Sequence, residues 1–206
     1  MWRLDISGIW FDAGSFIGRN RFKFFVAFLL AAGGFTFGLI NAFARVTTDE
    51  ALLSIQNYSI VRLAIGERSF FGYFLIRLLL HLLLLAVLTL LGVRELLAYG
   101  SFLVIITYAY QCAFFIGAVF CYAGLTVLPL MLLCLIPLSL VFLCVLTYYA
   151  VFIVYFAPQA RVACFRDISY YAHCVKLPFV CAAAAVACAA LLESGLACLL
   201  TAGIIL

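Results

Sequence analysis

The chain has 206 residues, of which 69% are hydrophobic and only 10% are charged. A soluble domain is usually about half apolar and about a quarter charged, so this composition excludes an ordinary soluble protein and predicts an integral membrane protein. The formal net charge of +4 does not indicate nucleic-acid binding, because the basic residues flank the apolar runs, as topology signals do, and form no patch.

Apolar runs of 18 or more residues recur along the chain, and each can cross about 30 Å of hydrocarbon as a helix. The short alternating segments of a membrane β-barrel are absent. The predicted fold is therefore all-α, a polytopic membrane protein with about five transmembrane helices. These helices form a single membrane domain over residues 22–206, with spans at about 22–44, 70–91, 96–121, 127–157 and 177–206.

Two segments lie outside the predicted spans near the N-terminus. Residues 1–21 form an amphipathic leader. Ala42-Phe43-Ala44 fits a signal-peptide cleavage site, but the long apolar run and the twenty residues before it predict an uncleaved span. The polar segment 45–69 contains a capping-box pattern, Thr47 followed by Glu50, and mixes apolar with polar residues. This mixture predicts a short helix lying on the membrane surface.

Glycines and prolines within the spans predict packing contacts and bends. Gly34 and Gly38 have the GxxxG spacing that lets two membrane helices approach closely, although glycine is common enough in such helices for the spacing to be incidental. Pro129 and Pro137 lie in the fourth predicted span. Proline removes a backbone donor, so this span is predicted to be bent or broken.

The last apolar run, 177–206, is longer than one straight crossing requires. Glu193-Ser194-Gly195 interrupts this run. The interruption suggests a break into two half-helices at Gly195, and a single long crossing is the alternative.

The basic residues predict the orientation of the chain. With a cytoplasmic N-terminus, the inner segments contain eight lysines and arginines and the outer segments contain three, which agrees with the positive-inside bias. The inner residues are Arg3, Arg19, Arg21, Lys23, Arg94, Arg161, Arg166 and Lys176, and the outer ones are Arg45, Arg62 and Arg68. The leader is then cytoplasmic, the 45–69 segment and the C-terminus are extracytoplasmic, and the plasma membrane is the expected location.

The sequence contains no recognisable catalytic motif. A Walker loop, a G-x-S-x-G elbow and an H-E-x-x-H pair are all missing. Neither His81 nor His173 has an acidic residue at metal-ligand spacing. The nine cysteines include no C-x-x-C pair and are interpreted as small buried hydrophobes, with a redox or metal role as the alternative. We therefore predict that the protein is not an enzyme and has no metal or cofactor.

Three basic or acidic side chains lie deep inside the apolar runs: Arg77, His81 and Glu193. A charge at the centre of a membrane helix costs roughly 2.5–3.5 kcal/mol on insertion scales, so such residues usually face the bundle interior and pair. Arg77 lies about 10 Å into the second span from its outer end. Glu193 lies about 24 Å along the last span, which is about 6 Å from the outer boundary. The two depths are similar.

The similar depth predicts an Arg77–Glu193 pair between the second and last spans. The alternative is that Arg77 extends toward the membrane surface while Glu193 faces water at a helix break. His81 lies one turn further along the same helix face. We interpret His81 as a neutral, hydrogen-bonded core residue, with a proton-relay histidine as the alternative.

Five segments, in their order along the chain, resemble the stage II sporulation protein M family over about residues 15–206. They are Gly34-Phe-Thr-Phe-Gly38-Leu-Ile-Asn-Ala-Phe43, Leu91-Gly92-Val93, Gln111-Cys-Ala-Phe-Phe-Ile-Gly117, Leu135-Ile-Pro137-Leu-Ser-Leu140 and Ala190-Leu-Leu-Glu193. The resemblance implies a non-catalytic membrane scaffold for peptidoglycan-degrading partners, similar to stage II sporulation proteins D and P, during septum remodelling and engulfment.

A second functional hypothesis follows from the intramembrane polar residues. A small transporter or channel could use Arg77, His81 and Glu193 as a polar pathway, and a broken last helix is a feature of some transporters. Against this hypothesis, five spans do not divide into equal inverted repeats. Membrane lipid is a partner under either hypothesis, and the sequence is compatible with an oligomer.

Overall fold

The computed structural model describes residues 14–45, 69–123, 135–160 and 165–205, which are helical apart from short turns. Its five long helices are α1 (Arg21–Arg45), α2 (Phe70–Leu91), α3 (Gly100–Ala123), α4 (Ile136–Ala160) and α5 (Phe165–Ile205). Each contains a segment that is long and apolar enough to cross a membrane. The predicted all-α, polytopic fold class is therefore confirmed.

The first two helices follow the predicted spans closely. α1 extends one residue beyond each end of the predicted span, and helical residues 14–19 and a turn at Asn20 precede it. α2 covers residues 70–91, as predicted. It begins there because the Ser69 side chain caps it, accepting a hydrogen bond of 3.2 Å from the Gly72 backbone N–H. A four-residue helical turn, Glu95–Ala98, leads into α3.

The helix directions alternate along the chain. α1 and α3 are parallel, because Gly34 lies against Ile106 and, two turns later, Ala42 lies against Gly117. α2 and α5 are antiparallel, because the start of α2 contacts the end of α5 and the end of α2 contacts the start of α5. α4 contacts all four other helices and is the centre of the bundle. This alternation is the pattern that successive membrane crossings require.

The interface between α1 and α3 depends on small residues. A Cβ atom added at Gly34 would lie 2.6 Å from the carbonyl oxygen of Ile106, and one added at Gly38 would collide with the carbonyl oxygen of Tyr110. On the opposing helix, a Cβ at Gly117 would lie 2.6 Å from the Ala42 Cβ. The GxxxG pair is therefore a site of close backbone contact and not an incidental spacing.

The last helix differs from its prediction in two ways. α5 begins at Phe165, twelve residues before the predicted start, because Tyr171 and Val175 bury their side chains at helical spacing in a segment whose charges suggested a polar connection. α5 also continues through Glu193-Ser194-Gly195, so the predicted break at Gly195 is wrong. The Ser194 hydroxyl donates to the Ala190 carbonyl oxygen within the helix (2.7 Å), and Glu193 has partners on another helix.

One of the two prolines of the fourth predicted span lies within the described part of the chain. Pro137 lies in the first turn of α4, which begins at Ile136. Proline is tolerated in a first turn because the backbone N–H there has no partner within the helix. Three predictions fall outside the described residues: the leader up to residue 13, the surface helix within 45–69, and the bend at Pro129.

Adjacent glycines of α1 offer a matched test of this packing. We expect Gly34→Ala to destabilise the protein by about 1–3 kcal/mol, because its methyl group has no room against Ile106. Gly33→Ala is the control, since nothing lies within 4 Å of a Cβ at that position. The control should be neutral or stabilising by up to about 1 kcal/mol. Unfolding in mixed micelles by titration with a denaturing detergent measures both, and equal losses of stability would contradict this packing.

Candidate functional site

Polar side chains form a stripe along one face of α2. Tyr73, Arg77 and His81 are four residues apart, so they lie one above another on the helix. Tyr73 and His81 are buried, and Arg77 is partly buried. Tyr73 and Arg77 both bind Glu193 of α5, and His81 contacts Tyr108 of α3, so the stripe connects α2 to α3 and α5.

Arg77 and Glu193 form the ion pair that the depth comparison predicted. Arg77 Nη2 lies 2.5 Å from Glu193 Oε1, and Arg77 Nε donates to Glu193 Oε2 at 3.1 Å. The Tyr73 hydroxyl also donates to Oε1, at 2.6 Å. The carboxylate is fully buried, with 1% of the side chain exposed, whereas 23% of the Arg77 side chain is exposed. Glu193 therefore faces the bundle interior, and the alternative of a carboxylate facing water at a helix break is wrong.

The bidentate geometry makes this contact directional as well as attractive. The guanidinium fork presents two parallel N–H groups to the two carboxylate oxygens, which fixes the relative rotation of the side chains. The pair also cancels the two charges within the apolar layer. Tyr73 occupies a further acceptor position of Glu193, so three donors from a single helix surround one acid from α5.

His81 has two partners, and they define its tautomer. Its Nδ1 lies 2.7 Å from the Arg77 carbonyl oxygen, which can only accept, so Nδ1 carries a proton. Its Nε2 lies 3.0 Å from the Tyr108 hydroxyl of α3. In the neutral ring Nε2 is an acceptor, and the Tyr108 hydroxyl donates to it. This arrangement is that of the hydrogen-bonded core histidine described from the sequence.

Aromatic contacts bring α4 into the same site. The Phe142 ring stacks on His81 with ring centroids 3.9 Å apart and an interplanar angle of 22°. The Arg77 guanidinium carbon lies 6.0 Å from the centre of the same Phe142 ring. The ring thus contacts both the imidazole and the cation, at the outer limit of a cation–π contact in the second case. Residues of α2, α3, α4 and α5 meet at this point.

Polar side chains continue along α3 beyond Tyr108. Cys112 lies one turn further on the same helix face and lines a cavity together with Tyr108 and Ser139 of α4. The cavity has a volume of about 10 Å³ and is lined otherwise by apolar side chains such as Phe35 and Leu143. This volume holds about one water molecule. The polar side chains at this end of the cluster therefore adjoin a cavity that is too small for a solute.

A second polar contact joins α2 to α5 at the other end of α2, far from the Arg77–Glu193 ion pair. The Tyr171 hydroxyl donates to the Thr89 carbonyl oxygen at 2.7 Å, and the Tyr149 hydroxyl of α4 lies 2.7 Å from the Thr89 hydroxyl. Gly92 makes room for this contact, because an added Cβ would collide with the Tyr171 hydroxyl. α2 is thus attached to α5 near both of its ends.

The sequence identified Arg77, His81 and Glu193 but missed Tyr73, Tyr108 and Phe142. Tyr73 could have been found, because it lies one turn before Arg77 on the same face. Tyr108 and Phe142 give no such signal, since their roles depend on how α3 and α4 are rotated. Gly34, Gly38 and Pro137 lie outside this cluster, and Gly195, two residues after Glu193, makes no close contact.

The acid of the cluster is engaged within the bundle. The Glu193 carboxylate accepts hydrogen bonds from Arg77 and Tyr73. Across residues 14–45, 69–123, 135–160 and 165–205, no group of three or more His, Cys, Asp or Glu side chains could hold a metal ion.

The fold and this cluster together define a polytopic helical membrane protein with a paired charge inside its bundle. No protein-family model matches the chain, and neither a curated protein nor a solved structure matched it in comparison.

The pairing energy can be measured by a double-mutant cycle. We expect Arg77→Leu and Glu193→Leu each to destabilise the protein by about 2–4 kcal/mol, because each leaves an unpaired charged group in the apolar layer. The double variant should lose at least about 1 kcal/mol less than the sum of the two, since neither charge is then left alone. Denaturing-detergent titration of the four proteins gives the coupling, and strictly additive losses would show that the pair does not contribute.

The hydrogen bond of His81 offers an independent test. Tyr108→Phe removes the hydroxyl and leaves the buried Nε2 without a donor, so we expect a loss of about 1–3 kcal/mol. Tyr99→Phe is the matched control, because the Tyr99 side chain is 53% exposed and should change stability by less than about 0.5 kcal/mol. The same unfolding assay applies, and a Tyr108→Phe protein as stable as the control would contradict the assignment.

Proposed function

We propose that the protein is a non-catalytic integral membrane scaffold that organises peptidoglycan-degrading partners during septum remodelling and engulfment in sporulation. The proposal follows the resemblance to the stage II sporulation protein M family. Its partners would resemble stage II sporulation proteins D and P. The protein would lie in the plasma membrane with a cytoplasmic N-terminus and an extracytoplasmic C-terminus, an orientation supported by the distribution of lysine and arginine.

One observation supports a scaffold more than any other. The three basic or acidic side chains deep inside the apolar runs bind protein groups within the bundle, where Arg77 pairs with Glu193 and His81 contacts Tyr108. Such contacts stabilise one arrangement of helices. A protein that holds partners at fixed positions needs a defined helix arrangement, and the partners can bind to its outer surfaces.

The transporter or channel is the second candidate, and one observation favours it. Glu193, Arg77, His81 and Tyr108 form a nearly continuous series of polar contacts that a proton could use. Against this function, the adjoining cavity has only about 10 Å³, and the Glu193 carboxylate is already bound by three donors. We therefore propose the scaffold.

Crosslinking in native membranes tests the scaffold directly. We expect the native chain to be recovered with cell-wall hydrolases, because a scaffold must contact the enzymes that it positions. Replacing residues 46–68 with a flexible linker of equal length should abolish this recovery, since that segment is the largest predicted extracytoplasmic surface. Arg94→Ala, on the opposite side of the membrane in the predicted topology, is the control and should leave recovery unchanged.

A parallel measurement separates the two functions. Purified native protein in liposomes should show no proton or solute flux above that of empty vesicles. Flux that is lost in a folded His81 variant, together with no recovery of hydrolases, would replace the scaffold with the transporter.

A further inference from the structure

The outward face of α1 and α3 carries a polar side chain at the middle of a membrane helix. Gln111 lies eleven residues after the start of α3 and twelve before its end, and its side chain is exposed. None of the described residues hydrogen-bonds to its side chain. Hydrocarbon offers no hydrogen bond to an amide, so a lipid tail leaves both its donor and its acceptor groups unsatisfied.

A groove lies beside Gln111 on the same face. It has a volume of about 460 Å³ and is lined by residues that include Gly33, Phe37 and Thr107. Thr107 is one turn before Gln111 on α3, and its hydroxyl is already bonded to carbonyl oxygens of its own helix, those of Leu103 and Val104. Gly33 leaves the α1 backbone uncovered, because nothing lies within 4 Å of a Cβ built there. The groove can therefore accept another helix at close range.

We propose that this face, formed by Gly33, Phe37, Thr107 and Gln111, binds the same face of a second copy of the chain. The Gln111 amide carries a partly negative oxygen and a partly positive NH₂ group, so two copies can each donate to the other and each accept. A twofold axis along the membrane normal keeps both glutamines at the same depth. Twofold symmetry brings the same face of both copies together, which is the commonest arrangement among soluble homo-oligomers.

A second copy suits the site better than lipid or an unrelated helix. Lipid cannot hydrogen-bond at mid-membrane depth, and an unrelated helix would need its own polar group at that depth. A copy of this chain supplies both the complementary amide and the matching depth. The groove runs beside the tight glycine contacts of α1 and α3, because Gly34 and Ile106 also line it. Nothing lies within 4 Å of a Cβ at Gly33, so a helix can bind on that side without displacing these contacts. This inference does not depend on the proposed function.

Energy transfer between two differently labelled populations of the full-length chain tests the dimer. The labels are attached through C-terminal tags, and the liposomes are diluted with lipid in steps. We expect the native protein to associate reversibly. Gln111→Leu removes both reciprocal hydrogen bonds, each of which changes affinity between membrane helices roughly 3- to 20-fold, so association should weaken roughly 10- to 400-fold. Gln111→Asn retains an amide and should retain most of the association.

A second pair of variants tests the groove separately. Gly33→Leu should weaken association by filling the groove, and the open space at this position allows the variant to fold. Ala184→Leu adds the same bulk to an exposed position of α5 and should associate like the native protein. A native chain that stays monomeric throughout the dilution, or a Gln111→Leu variant that associates unchanged, would overturn the proposal. Association of Gln111 with a different protein in place of a second copy would also overturn it.

Discussion

A carboxylate inside the apolar layer is the constraint on which the arrangement of helices depends. Glu193 is fully buried, and its ion-pair partner, Arg77, lies 116 positions earlier in the chain. A shift of α5 by one residue would rotate Glu193 by about 100° and remove it from the Arg77 fork. The pair therefore fixes both the rotation and the depth of α5 against α2. Because His81 and Phe142 contact the same group of residues, α3 and α4 are positioned by it as well.

Two kinds of contact hold the bundle together, and each suits the membrane for a physical reason. Lipid tails are as apolar as leucine, so burying apolar surface between helices contributes little to their association. α1 and α3 associate through close backbone approach at Gly34, Gly38 and Gly117. α2 and α5 associate through hydrogen bonds and charge. α4 contacts both helix pairs and so joins them into a single bundle.

The sequence was sufficient for some of this structure and insufficient for the rest. The Arg77–Glu193 pair could be predicted although the start of α5 could not. The depth comparison started from the apolar run at Leu177, whereas the helix itself begins at Phe165. The predicted break at Gly195 is wrong because a charged residue in an apolar run looks like the end of a helix. Only the pairing of Glu193 with Arg77 on α2 explains why the helix continues through it. The contact of His81 with Tyr108 could not be predicted, since it depends on the rotation of α3.

The position of the pair in the chain also bears on how the protein assembles. If the helices insert in chain order, α2 precedes α5 and Arg77 is at first without its acid. The insertion cost of roughly 2.5–3.5 kcal/mol for one arginine can be offset by the leucines of the same helix. When α5 inserts, Glu193 can pair with Tyr73 and Arg77, which are already present on α2. Completion of the bundle therefore depends on α5, and a chain that lacked this helix would retain an unpaired cation within the membrane.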